Sequence, residues 1–206
     1  MKKKLVIFIC FAICAASSIK AQYYHIDNLK LNKAYEALVK ASESKEAEKN
    51  FFNAFPNTWG EFIVTYQFTN LDDDLTMYNN SYNHINAFGK LKTIADSIYF
   101  KKLINLSIGA EFWADAPNYL QSLLHKKMTS NGDDIMKSLK TLRKGYQLQF
   151  WQFYWSKSVK DEATEQEYND LIKKFIDVYP NQISYIKDGY KYFYNGVNID
   201  GGYLEE

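Results

Sequence analysis

An eighteen-residue stretch that occurs twice constrains the fold of this chain more than any other feature. Residues 51–68 read FFNAFPNTWGEFIVTYQF, and residues 175–192 read FIDVYPNQISYIKDGYKY. A constant offset aligns Phe51 with Phe175, Pro56 with Pro180, Asn57 with Asn181, Phe62 with Ile186, and Tyr66 with Tyr190. Because the residue before a proline is pushed out of the helical region, Phe55 and Tyr179 are predicted to end one helix, and the asparagines to cap the next. Each stretch therefore predicts a helix, a sharp corner and a second helix.

Apolar residues recur at helical spacing along most of the chain. The first set is Leu31, Ala34, Tyr35, Leu38 and Val39, which are three and four residues apart. The aromatic run at 147–155, QLQFWQFYW, leaves a strand as an alternative because aromatic residues favour sheets, but no alternating partner strand is visible. We predict a helix there, buried on more than one side. The sequence thus predicts an all-α single domain over residues 22–206, with about seven to nine helices joined by short corners.

Several polar and small residues mark predicted helix boundaries. Thr58 with Glu61 forms a capping-box pattern after the first corner. Asp115 precedes Pro117, which is tolerated in a first helical turn, so Asp115 is predicted to cap a helix. Asn131-Gly132 is predicted to end that helix. In the segment after Ser81, the residues predicted to face inward are Tyr82, Ile85 and Phe88.

The N-terminus has the layout of a secretory signal. MKKK is followed by fifteen almost wholly apolar residues and then by Lys20-Ala21-Gln22. The apolar run is short for a membrane span, which needs about 20 residues, so a signal anchor is the weaker alternative. Lipid attachment at Cys14 is a second alternative, but the residue directly before that cysteine, Ile13, is not small. We predict a signal peptide over residues 1–21, and export to the periplasm, the outer surface or the medium, without a transmembrane segment in the mature chain.

The mature chain that this cleavage leaves has a mildly acidic balance. It keeps 206 − 21 = 185 residues and loses both cysteines and four lysines, so 21 Lys and Arg face 24 Asp and Glu, a formal charge of −3. Arg143 is its single arginine, although arginine is the usual residue for bidentate recognition of phosphate or carboxylate. These features disfavour nucleic acid and other polyanions as partners.

Aromatic residues are unusually frequent, with 17 Tyr, 14 Phe and 4 Trp. A tyrosine-rich helical core explains most of them, and an aromatic-lined groove for a ligand or partner is the alternative. Since tryptophan and tyrosine dominate binding hot spots, we predict Trp113, Trp151 and Trp155 as exposed binding anchors.

No cofactor or metal is predicted from the motifs. The chain lacks a glycine-rich phosphate loop and a Gly-x-Ser-x-Gly nucleophile elbow. His25, His84 and His125 are scattered, without the paired spacing of a zinc site.

One acidic pair carries the enzymatic alternative. Glu111 and Asp115 flank Trp113 just before the proline-started helix. Two carboxylates can act as acid and base in glycoside cleavage if an apolar wall raises the pKa of one of them. A helix cap at Asp115 with an exposed Glu111 is the simpler interpretation.

The second corner, from Tyr168 to Tyr192, resembles the junction between tetratricopeptide-type repeats in bacterial envelope proteins, and the resemblance extends to the first corner. It implies a helical scaffold that binds other proteins. The Ala-Gln signal end, the scarcity of arginine, and the Phe-Pro-Asn and Phe-Trp-x-Phe blocks resemble small exported proteins of unknown function from Bacteroidetes-type bacteria. That resemblance implies export.

Together these features favour a non-enzymatic binding or envelope-interaction module whose partner is a protein or glycan of the cell envelope. The alternative is a hydrolase acting on glycan or peptidoglycan through Glu111 and Asp115.

Overall fold

Helices and short corners make up the part of the chain that the computed structural model describes, which is residues 26–67, 75–112, 115–156 and 161–194. The helices are α1 (Asn28–Lys40), α2 (Lys45–Ala54), α3 (Trp59–Tyr66), α4 (Thr76–Gly89), α5 (Asp96–Ser107), α6 (Asp115–Leu139), α7 (Lys144–Trp155), α8 (Glu162–Phe175) and α9 (Ile183–Tyr194). No strand occurs in these ranges, so the predicted all-α single domain is confirmed. The predicted signal peptide, with its cleavage after Ala21, lies outside the described residues.

Helix α6 is the longest element and occupies the centre, in contact with α4, α5 and α7. Its apolar face includes Leu120, Leu124 and Met128, which are fully buried. The backbone leaves helical geometry at Asn131 (φ −133°, ψ 29°) and resumes it at once. The predicted helix end at Asn131-Gly132 is confirmed as a break between two helical stretches, although the break is a kink and no loop follows it. Gly132 lies against α8, where an added Cβ would be 2.8 Å from the Phe175 ring.

Helix α7 contains the aromatic run and packs against α5, α6 and α9. Its buried residues are Gln147, Phe150, Trp151, Phe153, Tyr154 and Trp155. The helix prediction and the prediction of burial on more than one side are both confirmed. At Gly189 of α9 the two helices are so close that a Cβ would lie 2.7 Å from the Trp151 carbonyl carbon.

The first proline corner joins α2 to α3. Phe55 ends α2 with extended backbone (ψ 144°), as the following proline predicts. Thr58 is the N-cap of α3: its hydroxyl accepts the Glu61 N–H at 3.3 Å, while the Glu61 carboxylate accepts the Asn57 N–H at 2.6 Å. The Thr58–Glu61 cap is confirmed. The prediction of Asn57 as the cap is wrong, because α3 begins one residue further on.

The second corner joins α8 to α9 through a 3-10 turn, Pro180–Gln182. Helix α8 ends at Phe175, four residues before Tyr179, although the Tyr179 N–H still donates to the Phe175 carbonyl at 2.8 Å. The predicted end at Tyr179 is therefore too late. Asn181 lies within the 3-10 turn and is not an N-cap, so that prediction is also wrong.

Helix α2 is tied by charged side chains to α5 and to the loop that precedes α5. The ammonium of Lys102 in α5 donates to the carbonyls of Phe52 and Phe55, at 2.5 and 2.8 Å, where α2 ends in unpaired acceptors. The buried carboxylate of Glu48 in α2 accepts the N–H groups of Lys92 and Thr93, at 3.0 and 2.7 Å. The first corner is thus held by side chains from a distant part of the sequence.

Candidate functional site

The predicted tryptophan anchors are in the core. Trp151 and Trp155 are 0% exposed, with their ring centroids 6.4 Å apart, and Trp155 meets Tyr190 edge to face at 5.3 Å. The prediction that these two side chains are exposed is wrong, because three helices surround α7. Trp113 lies outside the described residues.

The two carboxylates of the enzymatic hypothesis are both exposed. Asp115 is the first residue of α6, where its negative charge suits the helix N-terminus, and it accepts a hydrogen bond from the Tyr78 hydroxyl at 2.7 Å. The aromatic block of α7 is enclosed in the core. Neither Glu111 nor Asp115 is therefore shielded by that block, one of the two shields that the hydrolase hypothesis allows; the other, Trp113, lies outside the described residues.

The helices α4 and α6, which the Tyr78–Asp115 hydrogen bond joins, also border a groove. The two helices run in the same direction, because their contacts advance together: Tyr78 with Asp115, Tyr82 with Tyr119 at 5.2 Å between ring centroids, and Gly89 against Leu123. The α4/α6 groove has a volume of about 250 Å³. Its polar and aromatic lining consists of Tyr82, Asn86, Lys90, Tyr119, Ser122 and Lys126.

A second groove lies on the other side of α4, against α1. Its volume is about 230 Å³, and its lining includes Tyr35, Val39, Ser42, Asn83, Asn86 and Lys90. Asn86 and Lys90 thus line both grooves. The α1/α4 and α4/α6 grooves, here called the joined grooves, therefore form one surface that crosses the C-terminal end of α4.

The charges on the joined grooves are unevenly placed. Lys90 and Lys126 are exposed, and within the described ranges neither forms an ion pair. The one carboxylate that lines either groove among the described residues is that of Glu48, which is 5% exposed. Burial raises the pKa of Glu48, but hydrogen bonds from Thr93 and Lys92 outweigh it and lower that pKa. Since this carboxylate is already bound by backbone groups, the accessible charge of the surface is positive.

Tyr78 and Asp115 are not part of the lining of the α4/α6 groove. The hydrogen bond to Asp115 raises the pKa of the Tyr78 hydroxyl. This bond joins the first turns of α4 and α6.

A third polar cluster joins α6, α7 and α8. His125 Nδ1 is 2.6 Å from the Glu167 carboxylate and Nε2 is 2.9 Å from the Tyr154 carbonyl, while the Tyr154 hydroxyl donates to Glu167 at 2.5 Å. A groove of about 410 Å³ lies beside the cluster. Both imidazole nitrogens face acceptors, so neither is directed at the groove. This arrangement is better suited to holding α6, α7 and α8 together than to catalysis with His125 as a general base.

The described ranges hold no group of three or more His, Cys, Asp or Glu side chains placed to bind a metal ion. They also contain no helix with the length and apolar character needed to cross a membrane.

The groove residues were not among the predicted site residues. Tyr82 is 55% exposed, so its predicted inward position is wrong. A usable signal is present in the sequence: Tyr78 and Tyr82 are four residues apart on α4, within a run rich in asparagine, a residue that rarely faces a core. Tyr119 and Lys126 are seven residues apart and share one face of α6. Only the packing of α4 on α6 brings that face beside Tyr82.

Comparison of the chain with protein-family models, with curated proteins and with solved structures finds no match.

Proposed function

We propose that this chain is an exported, non-enzymatic binding module, and that the joined grooves hold a protein or glycan partner of the cell envelope. The observation that carries the proposal is the continuous surface made by Tyr82, Tyr119, Asn86 and Lys90, which links the two grooves. Export rests on the signal-like N-terminus alone.

Several properties of the surface support binding. Tyrosine offers a large, rigid contact area with a polar tip, and it is among the residues that dominate binding energy. The Tyr82 side chain is fixed against Tyr119 although more than half of it faces solvent. A side chain that is already ordered loses little conformational freedom when a partner covers it.

Site-directed photocrosslinking in the native host tests this proposal. Benzoylphenylalanine placed at Tyr82 or at Tyr119 is expected to form a covalent adduct with the partner, detected as a mass shift. The matched control places the same group at Tyr146, which is 46% exposed and lines neither groove. Equal adducts at all three positions, or none at Tyr82 and Tyr119 in folded protein, would contradict the proposal.

A further inference from the structure

We infer that the ligand of the joined grooves is a carbohydrate chain that carries carboxylate groups. This inference rests on the proposed function and deepens it by naming the class of ligand. It follows from how tyrosine, amide and lysine side chains are distributed over the surface.

Exposed tyrosine supplies the first element of sugar recognition. One face of a pyranose ring carries aliphatic C–H groups, which pack against the negative face of an aromatic ring. Tyr82 is 55% exposed and meets Tyr119 at 75° between the ring planes. The perpendicular Tyr119 holds Tyr82 in place from the side, so that a sugar ring has a flat and ordered surface to stack on.

Amides and hydroxyls supply the second element. Asn83, Asn86 and Ser122 are exposed beside the tyrosines, and no hydrogen bond joins their side chains to a described residue. An amide offers two donors and an acceptor, which match neighbouring hydroxyls on a sugar. Because Asn86 lines both grooves, one chain of sugar units can contact it while extending into each groove.

Charge supplies the third element of recognition and narrows the chemical class of the ligand. Lys90 lines both grooves, and Lys126 lines the α4/α6 groove. The acidic Glu48 is buried and already accepts hydrogen bonds, so it does not repel an anion at the surface. Arg143, the single arginine of the sequence, lines neither groove. Because lysine acts as a point charge, whereas dense phosphate is usually held by arginine forks, the surface suits isolated carboxylates on a sugar chain better than a phosphate-rich polyanion.

The same surface is poorly suited to an acidic peptide. The described residues contain no strand edge that could pair with a peptide backbone. Helix-in-groove binding needs a continuous apolar trough, whereas the polar Asn86 and Lys90 interrupt this one at its midpoint.

A binding panel tests the inference with the chain purified from its host. The panel contains oligosaccharides bearing uronate or sialate groups, the same oligosaccharides after reduction of their carboxyl groups, and poly-L-glutamate. We expect at least one carboxylated oligosaccharide to bind about tenfold or more tightly than its reduced form, with an affinity that falls as salt is raised. Poly-L-glutamate is expected to bind more weakly than that oligosaccharide.

Two variants with matched controls locate the binding. Tyr82→Ala and Lys90→Glu are each expected to weaken binding by about tenfold or more. Tyr146→Ala and Lys187→Glu remove an exposed tyrosine and reverse an exposed lysine outside both grooves, and should change binding by less than about twofold.

Three results would overturn the inference: no member of the panel binds, the reduced sugars or poly-L-glutamate bind equally well, or the groove and control variants weaken binding alike. If the adducts at Tyr82 and Tyr119 still form in that case, the binding function stands and only the ligand class fails. If neither adducts nor sugar binding occur, both proposals fail.

Discussion

The two proline corners use one sequence pattern and are completed in different ways. The aligned apolar positions have the same environment: Phe51 and Phe175 are 0% exposed, and so are Phe62 and Ile186. The two corners differ in how their backbone polar groups are satisfied. At the first corner Pro56 is buried and Lys102 satisfies the end of α2, whereas at the second Pro180 is exposed and begins a 3-10 turn.

The second corner depends on close helix contact instead of a buried charge. Gly189 in α9 lies directly against the backbone of Trp151 in α7. The Gln182 amide donates to the Met136 carbonyl of α6 at 3.2 Å, so the turn is also anchored to the central helix. The comparison shows that a local pattern fixes which side chains face the core, while tertiary neighbours decide how the backbone groups are satisfied.

The largest loss of stability is expected from Gly189→Ala, at the second corner. The new Cβ would lie 2.6 Å from Trp151 Cβ and 2.7 Å from its carbonyl carbon, and a backbone atom cannot move aside as a side chain can. Overpacking of this kind costs about 1–3 kcal/mol or more, and we expect a loss of about 3 kcal/mol in the free energy of unfolding, measured by urea denaturation.

The matched control for Gly189 is Gly145→Ala in α7, where an added Cβ meets nothing within 4 Å. Alanine is favoured over glycine in a helix by up to about 1 kcal/mol, so this variant should be neutral or stabilised. A similar loss in both variants would show that close packing at Gly189 is not the cause.

At the first corner we expect an acid-dependent effect of His84, whose Nδ1 is 3.2 Å from the Tyr66 hydroxyl. Burial lowers the pKa of His84 to about 4, from 6.5. Between pH 6.5 and pH 4 the unfolded chain therefore binds a proton that the folded chain does not, and stability falls as the pH falls. Each pKa unit corresponds to about 1.4 kcal/mol, so the loss attributable to His84 is about 3 kcal/mol.

His84→Gln tests that effect, because the amide oxygen still accepts from Tyr66 but does not titrate. Urea denaturation at several pH values should show a smaller decrease between pH 6.5 and pH 4 than in the wild type. Parallel pH profiles for the two proteins would exclude His84 as the source. Tyr190, the counterpart of Tyr66 at the second corner, stacks on Tyr168 at 4.1 Å between ring centroids and meets Trp155 edge to face.

A smaller change in the free energy of unfolding is expected from Lys102→Met, which leaves the carbonyls of Phe52 and Phe55 without the donor that Lys102 supplies. Burial lowers the pKa of Lys102 to about 8, against the opposing effect of Glu61. Below pH 8 the folded wild type holds a buried ammonium. As the pH rises from 8 toward 10.5 the unfolded lysine alone keeps its proton, so wild-type stability increases relative to the variant.

We therefore expect the stability of the wild type relative to Lys102→Met to be about 2 kcal/mol higher at pH 10 than at pH 7. Denaturation of both proteins at the two pH values measures the difference. A difference that is larger at pH 7 would mean that the two carbonyls and the Phe52 ring, 4.4 Å from the ammonium, favour the charged form.

The all-α fold could be predicted from sequence periodicity, because the spacing of apolar residues reflects which side chains are buried. The aromatic run of α7 shows this well: its lack of a single apolar face predicts burial on several sides, and Trp151 and Trp155 are indeed enclosed. The same observation argues against their use as exposed anchors. Residue type suggested binding for these tryptophans, and periodicity, which is the stronger signal, placed them in the core.

The candidate site could be predicted only in part. Tyr82 and Asn86 are on one helix, and their spacing of four residues places them on one face. Tyr119 and Lys126 reach the same groove through the parallel packing of α4 and α6, which no local pattern encodes. Lys102 is a similar case: nothing in its own segment indicates that it ends beneath a helix 47 to 50 residues earlier in the chain.

The contacts of α2 with α5 and with the loop before α5 also bear on the order of folding. Glu48 and the end of α2 are bonded to residues 44 to 50 positions further along the chain. Closing so long a loop is slow compared with forming a single helix. The first corner is therefore completed only after the chain has been made through Lys102, whereas the second corner is bonded through Gln182 to Met136, which precedes it in the chain. In a chain that emerges N-terminus first, the earlier copy of the corner is the one that must wait for its partners.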